Sequence, residues 1–472
     1  MKLKLLSLLC AAALCACSLD PVSQRPAGPV DPVWPTGPAY DTDTLSTKGA
    51  SGTASLAADV GWRDFFKDAR LQRLIELALE NNRDLRVAAL KVAGYEAQYR
   101  ITRAALAPTI DASGSTTRER SQGAVTGASS MGVGTTSWEI DFFGRLGSLK
   151  RQALEQYLAS DASRTSTQLS LIATVATDYL QLRADEALLK ITADTVEADR
   201  QTYELTLRSQ QIGNASMQDV RQAQTSLASA RASLASYTRA VAQDRNNLVA
   251  AIGCSLPDDL PQGETLESQM LLADVGAGLL SDLLTRRPDI VEAEHTLKAA
   301  NANIGAARAA FFPKIELTAS AGTSSSSLSG LFKAGSGAWA FAPTLSMPIF
   351  DYGSNKASLD VAKIEKDIDV ASYEKAIQTA FKEVANALAG RTTYVDQVDA
   401  DREYVASAQS YYDLAQARYR GGTDSFLTLL DAQRTLYTAQ QQLVDDSLAK
   451  MSNLITLYKA LGGGWSESGR AG

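Results

Sequence analysis

The chain has 472 residues, with 46 basic and 53 acidic side chains and a formal net charge of −7. It holds no basic tract, which argues against a nucleic-acid-binding protein, because phosphate recognition needs clustered Lys and Arg. Aromatic residues make up only 7%, a balance that suits long helices packed through small side chains rather than a large aromatic core.

The N-terminus reads MKLKLLSLLCAAALCACSLD, with Lys2 and Lys4 ahead of a short apolar run from Leu5 to Leu14. That run is too short to span a bilayer as a helix and has the form of a secretory signal. It ends in Leu14-Cys15-Ala16-Cys17, which resembles a bacterial lipobox. Residues 1–16 are therefore expected to leave as a signal peptide and Cys17 to carry the lipid; the plainer alternative is an ordinary signal whose cysteine is incidental. Two or three acyl chains on one residue anchor stably, whereas one is marginal. In such lipoproteins Ser18, rather than Asp, lets the protein be sorted to the outer membrane. Cys254 would then be the one cysteine left unmodified, so no internal disulfide is expected, and its expected role is that of a small apolar filler. Residues 17–61, rich in Pro, Gly, Ser and Thr, read as an extended tether.

The body is expected to be a duplication, with a first half-repeat at 62–270, a second at 271–465 and a tail at 466–472. Asp84 answers Asp289 and Pro108 answers Pro313 at a spacing of 205 residues, while Gly144 answers Gly353, Gly213 answers Gly422 and Gly253 answers Gly462 at 209. The second copy thus has extra residues between its proline and the next glycine, where a hairpin tip tolerates insertion. Each copy opens with helical character, over residues 68–107 and 271–312, and each stretch stops at a proline that forbids continuation.

Period-two alternation follows, predicting β-hairpins over about 108–143 and 313–350. Ile315, Leu317, Ala319 and Ala321 share one face, and Trp339, Phe341, Leu345, Met347 and Ile349 share another apolar face. The first copy repeats this more weakly, in Trp138, Ile140 and Phe142. Strands of about ten residues match the height of a bilayer's apolar layer, although a sheet on a soluble core shows the same alternation. Pro343 and Pro348 are expected to weaken the last strand.

Next come helical stretches over about 145–211 and 354–420, roughly 100 Å each at 1.5 Å per residue. Ile172, Val175, Tyr179 and Leu182, then Leu189, Val196 and Tyr203, mark a coiled-coil seam, as do Val395, Val398, Val405 and Tyr412 in the second copy. Gly213 and Gly422 are then the tips of two long helical hairpins, with Asn214 or Ser216, and Thr423 or Ser425, restarting the helix. Four strands do not close a barrel, so a homotrimer with twelve strands is the natural closure. The expected fold is mainly α with a transmembrane β part: a homotrimeric 12-stranded barrel continuous with a helical barrel.

The stretches WRDFFKDARLQRLIELALENNRDLRVA, RRPDIVEAE, AAFFPKIELTASAG, LTLLDAQRTLYTAQQQL and LYKALGGGW, in this order and with the repeat, resemble the TolC-type outer-membrane factors, in the OprM- and NodT-like lipoprotein efflux branch. The resemblance covers nearly everything after the tether. It implies a trimeric exit duct in the outer membrane, lipid-anchored, with its helical barrel in the periplasm. It also implies a periplasmic adaptor and an inner-membrane pump of the resistance-nodulation-division type, exporting drugs and other small amphiphiles. Carried over residue by residue, the periplasmic gate would be an apolar ring at Leu427 and an acidic ring at Asp431, with Tyr419, Asp424 and Arg434 as ties between neighbouring helices. Leu427 and Asp431 lie four apart on one helix face, and a threefold ring of carboxylates narrows a pore as charged rings do elsewhere. The family's second acidic position is Thr428 here, and Gln222 stands where the second copy has Asp431, which suggests that only the second hairpin moves. Arg208, Gly213 and Gly422 are the expected adaptor contacts, although a glycine there also simply permits the turn.

No cofactor or metal is expected. The Ser447–Lys450 pair fits an S-x-x-K pattern without its companion motifs, and the single histidine, His295, reads as a helix-surface residue. The remaining rival is a periplasm-bridging structural or adaptor lipoprotein without a pore, which leaves the two amphipathic strand pairs unexplained.

Overall fold

The computed structural model describes residues 19–22, 24–30, 33–40, 59–268, 280–465 and 467. The expected signal peptide and Cys17 lie outside these residues. In order, the elements are α1 (Trp62–Phe65), α2 (Ala69–Asn81), α3 (Arg83–Ala104), β1 (Asp111–Ser121), β2 (Ala124–Glu139), α4 (Arg145–Gln211), α5 (Met217–Ile252), α6 (Leu280–Arg286), α7 (Pro288–Ala309), β3 (Lys314–Ser325), β4 (Gly337–Ser346), α8 (Ser354–Arg420) and α9 (Phe426–Ala460). Helices α4 and α8 have 67 residues each. Each opening helix of a half-repeat is two helices rather than one. Asn82 interrupts the first and accepts a hydrogen bond from Leu85 N at 2.9 Å as a new cap. In the second, Pro288 occupies the first position of α7, where its missing N–H costs nothing.

The chain divides into two compact units. The first comprises residues 1–28, 89–162 and 291–376. It holds one antiparallel sheet in the order β1-β2-β3-β4, so the two copies meet at the β2–β3 pairing. The first hairpin closes on Gln122 and Gly123, at φ 48° and 83°, both left-handed as a two-residue type I′ turn requires. The second closes through residues 326–336, which include a short 3-10 turn at Leu328–Gly330. The extra residues of the second copy lie in that loop. Register places Ala321 opposite Trp339, Ala319 opposite Phe341 and Ile315 opposite Leu345, so the apolar alternation forms continuous rows across the sheet.

A bulge between Thr135 and Trp138, with Ser137 at φ 52°, brings Trp138 opposite Leu317. Without the extra residue Trp138 would face the other side of the sheet. Pro343 does not interrupt β4, which runs on to Ser346. The strand lies at the sheet edge, where a missing N–H is tolerated. Among the described residues no helix is long and apolar enough to cross a membrane. His295 is not a plain surface residue: its Nδ1 lies 2.6 Å from Glu155 Oε2, joining α7 to α4 in a half-buried pair.

The second unit comprises residues 29–88, 163–290 and 377–472. Its core is built from Phe65, Phe66, Leu71, Ile75, Tyr179, Leu180, Leu248, Ile252, Ile455 and Tyr458, all essentially inaccessible to solvent. Burying each such side chain contributes about 1.5–3 kcal/mol. Tyr458 stacks on Phe65 at 3.9 Å between centroids, and its hydroxyl donates to Val60 O at 2.6 Å. Asp68 caps α2 through Arg70 N and Leu71 N and also receives the Tyr179 hydroxyl at 2.7 Å. Among the described residues of the stretch read as a tether, Trp34 is buried and stacks on Phe381 at 5.4 Å. Cys254 is a free thiol packed against the same core.

The duplication repeats a tertiary contact as well as a pattern. Asn82 Nδ2 donates to Ala251 O at 2.7 Å, and Arg287, 205 residues later, donates to Ala460 O at 3.0 Å. Gly253 and Gly462 end the returning helices at φ 84° and 78°, where a Cβ would strike the backbone of Asn81 and crowd that of Arg286 respectively. Each helix break is thus pinned to the end of its own copy's returning helix. Arg287 does more, because its guanidinium also pairs with Asp289 at 2.6 Å and Glu383 at 2.8 Å while almost fully buried.

Candidate functional site at the hairpin tips

Both tips lie in the second unit and use one backbone solution. After α4, Gly213 N donates to Gln210 O at 3.0 Å and Asn214 N to Ser209 O at 2.8 Å; after α8, Gly422 N donates to Tyr419 O and Thr423 N to Arg418 O, each at 3.0 Å. This paired closure is a Schellman motif, and its left-handed residue is Gly213 at φ 83° or Gly422 at φ 71°. The chain then turns into the returning helix at Ser216 and Ser425. Ser216 forms a full capping box with Asp219, whereas Ser425 caps Thr428 N alone, since the second copy has threonine where the box needs an acid. Gly213, Gly422 and Arg208 are all exposed.

Leu427 and Asp431 lie one turn apart on α9, both exposed, Leu427 at 63%. An exposed leucine one turn from an exposed acid leaves an apolar and an anionic position on the same face. Tyr411 Oη donates to Asp431 Oδ2 at 3.3 Å across the hairpin. Tyr419 packs on Phe426 at 5.9 Å within a cluster of Ala223, Phe426, Leu430 and Tyr203, and its hydroxyl lies 3.4 Å from Thr206 Oγ1 on α4. Arg434 reaches Ser226 Oγ on α5 at 3.5 Å. Asp424 lies in the turn between α8 and α9. It follows Gly422 by two residues, so its carboxylate accepts from Ser425 N at 3.1 Å and pairs with Arg418 at 3.1 Å inside its own hairpin. The Ser425 N–H, with Arg418, holds the Asp424 carboxyl below the usual carboxylate range.

Sequence reading missed the firmest links between the hairpins. Three side chains of α4, Thr192, Asp199 and Thr206, are buried at 0%, 6% and 0% exposure. Each meets the second hairpin: Thr192 Oγ1 lies 2.9 Å from Tyr437 Oη, Asp199 Oδ1 accepts from Gln433 Nε2 at 2.8 Å, and Thr206 meets Tyr419. They fill the alternate seam positions, each three residues after Leu189, Val196 or Tyr203. A polar residue at such a position trades stability for register, and an Asp at 199 was the signal available. Burial pushes the Asp199 carboxyl up to about 6, against the Gln433 hydrogen bond and the Arg434 charge.

The fold is that of an outer-membrane efflux channel component. A family profile described as "Outer membrane efflux protein" matches residues 74–254 and 279–463. The chain is 51% identical over 459 residues to the toluene efflux pump outer membrane protein TtgC of Pseudomonas putida, covering 96% of this chain and 93% of that one. The same figures hold for the antibiotic efflux pump outer membrane protein ArpC of Pseudomonas putida. The open-state MtrE outer membrane channel of Neisseria gonorrhoeae superposes with a TM-score of 0.88 at 40% identity, over 96% of this chain and all of that one. The chain belongs to the outer membrane efflux protein family. Its fold, mostly helical with a four-stranded sheet per chain, is that of the family's trimeric outer-membrane channels.

Proposed function

We propose that three copies of this chain form the lipid-anchored exit duct of a tripartite efflux system for small amphiphilic compounds. The duct is joined through a periplasmic adaptor to a resistance-nodulation-division pump. The observation that carries this reading is the second hairpin. It exposes Leu427 and Asp431 on one turn of α9 while the buried side of the same helix is held to the first hairpin through Gln433 and Tyr437. In a threefold arrangement the four-stranded sheet contributes one third of a 12-stranded barrel, and Leu427 and Asp431 form the apolar and carboxylate rings of a periplasmic gate. Tyr419 and Arg434 tie that gate to the first hairpin, and Asp424 stiffens its tip. Arg208, Gly213 and Gly422 are the contacts offered to the adaptor, and Cys17 carries the acyl chains. The duplicated unit runs over 62–270 and 271–465. Relatives named for toluene and antibiotic efflux support a small organic cargo with a substantial apolar part.

The test is single-channel conductance in planar bilayers, comparing wild type with Asp431→Ala. The expected result is a small conductance in wild type that rises in the variant. A pore unchanged by the substitution would move the gate away from Asp431, and no conductance from either protein would overturn the duct.

A further inference from the structure

The first described residues of the chain are seated on the first unit by side chain and main chain together. Asp20 accepts from Ser148 Oγ at 2.6 Å and pairs with Arg151 Nε at 2.5 Å. The flanking carbonyls are read as well: Leu19 O accepts from Arg308 Nη1 at 3.0 Å and Pro21 O from Asn301 Nδ2 at 2.7 Å. A few residues on, Arg25 pairs with Glu294 at 2.5 Å. Ser148 is inaccessible to solvent and Asn301 is 5% exposed, so the donors belong to a built groove between α4 and α7.

Gly305 completes it. It is a helical glycine, which a helix disfavours against alanine, and a Cβ at this position would run into the Asp20 carboxylate and Ser148 Oγ. The groove is not a product of the duplication. At the repeat spacings of 205 and 209 residues, Gly305 corresponds to Arg100, Asn301 to Glu96, Ser148 to Ala357 and Arg151 to Asp360. A seat found in one copy and erased in the other fits a chain that has a single N-terminus.

We propose that this groove is a docking site for the mature N-terminus and sets where the acyl chains leave the body. The proposal rests on Cys17 being the lipidated residue. Cys17 lies three residues before Asp20, so its Cα is within about 11 Å of the seat, at up to 3.6 Å per residue. The seat is on the first two turns of α4, directly after β2 ends at Glu139. The occupant is the chain's own Leu19-Asp20-Pro21 segment, and the docked lipid is delivered to the leaflet that meets the strand ends. The lipid and the sheet then enter the same leaflet as one rigid part, rather than being joined by a slack leash.

The experiment uses full-length protein purified in detergent, with the rate of proteinase K cleavage between residues 18 and 30 followed by mass spectrometry of the released N-terminal peptide. Asp20→Ala removes the carboxylate without touching the body, and Gly305→Leu fills the groove. Both are expected to speed cleavage by about tenfold to a hundredfold, the range for losing charge-assisted hydrogen bonds. Asp20→Arg alone is expected to behave like Asp20→Ala, and Asp20→Arg with Arg151→Asp to restore protection. Equal cleavage in wild type and Asp20→Ala would overturn the seat. The mass of the same peptide separates the two claims. An unacylated but protected N-terminus sinks the lipid reading and leaves the groove, whereas an acylated but unprotected one does the reverse.

Discussion

Asp199→Asn isolates the cost of the buried carboxyl that links the two hairpins. Asp199 is 6% exposed, accepts one hydrogen bond from Gln433, and has a folded-state value of about 6 against an ordinary Asp near 3.9. The shift is upward, so the protonated acid is the form the fold prefers. Its contribution is fully present below about pH 4 and is lost as pH rises through about 6. Two units of displacement correspond to about 3 kcal/mol of penalty in the ionised state above that point. That penalty is already net of the Arg434 charge on α9, and the ionised carboxylate also faces Tyr412 on α8, whose phenol is held up by burial and by that charge. Gln433 Oε1 is buried with no hydrogen-bond partner. The asparagine in Asp199→Asn has the same shape, no charge, and an amide N–H that donates to that oxygen. Thermal unfolding of detergent-purified protein at pH 4.5, 6 and 7.5 reads the effect. We expect the variant to melt several degrees above wild type at pH 7.5 and the gap to close by pH 4.5. A gap independent of pH, or a variant that melts lower at pH 7.5, would refute the reasoning.

Arg287→Met removes a buried charge that holds Asp289, Glu383 and the Ala460 carbonyl, and both carboxylates keep partial solvent access; a loss of about 2–4 kcal/mol is expected in denaturant unfolding. Tyr458→Phe leaves Val60 O without its 2.6 Å donor while keeping the stack on Phe65, so the same assay should show a loss of about 1–2 kcal/mol. Burial, with the Asp185 carboxyl beside it, pushes Asp244 up to about 7. Stability carried by that proton falls as pH rises through 7, and Asp244→Asn should raise the melting temperature at pH 8 but not at pH 5. Gly422→Ala places a Cβ at φ 71° and should cost about 1–2 kcal/mol, a loss that Gly422→Asn recovers in part.

The elements could be read from the chain because their signals are local. Period two in residues 315–321 and 339–349, the proline after each opening helix, and a glycine followed by serine at each tip fixed strands, breaks and turns within a few residues. The exceptions have physical causes. Asn82 and Arg287 contact carbonyls 169 and 173 residues away, and no nearby residue announces such a partner. The bulge before Trp138 changes which face a side chain takes without changing the apolar pattern that precedes it. Pro343 is compatible with β4 because that strand has a single partner within its own chain, which depends on strand order. Asp199 was within reach of sequence reasoning: marking every seventh apolar residue along 189, 196 and 203 passed over the polar positions between them, and those are the ones that join the hairpins. At the candidate gate the position of Leu427 and Asp431 came from the resemblance, since an exposed pair on a helix has no local signature of its own.

The sheet ends on two strands, β1 and β4, whose every residue is exposed in a single chain. Each is a row of unpaired backbone groups with a strong preference for any strand that comes near. A chain released alone is therefore sticky on both flanks, and its safest partner is its own kind. In a closed ring of three, one chain with a spoiled edge breaks a joint, and the ring stays open. Where half the chains in a cell were so altered, random mixing would leave roughly one ring in eight intact. A gene of this type is thus open to poisoning by its own defective copies, a vulnerability built into a barrel made in thirds.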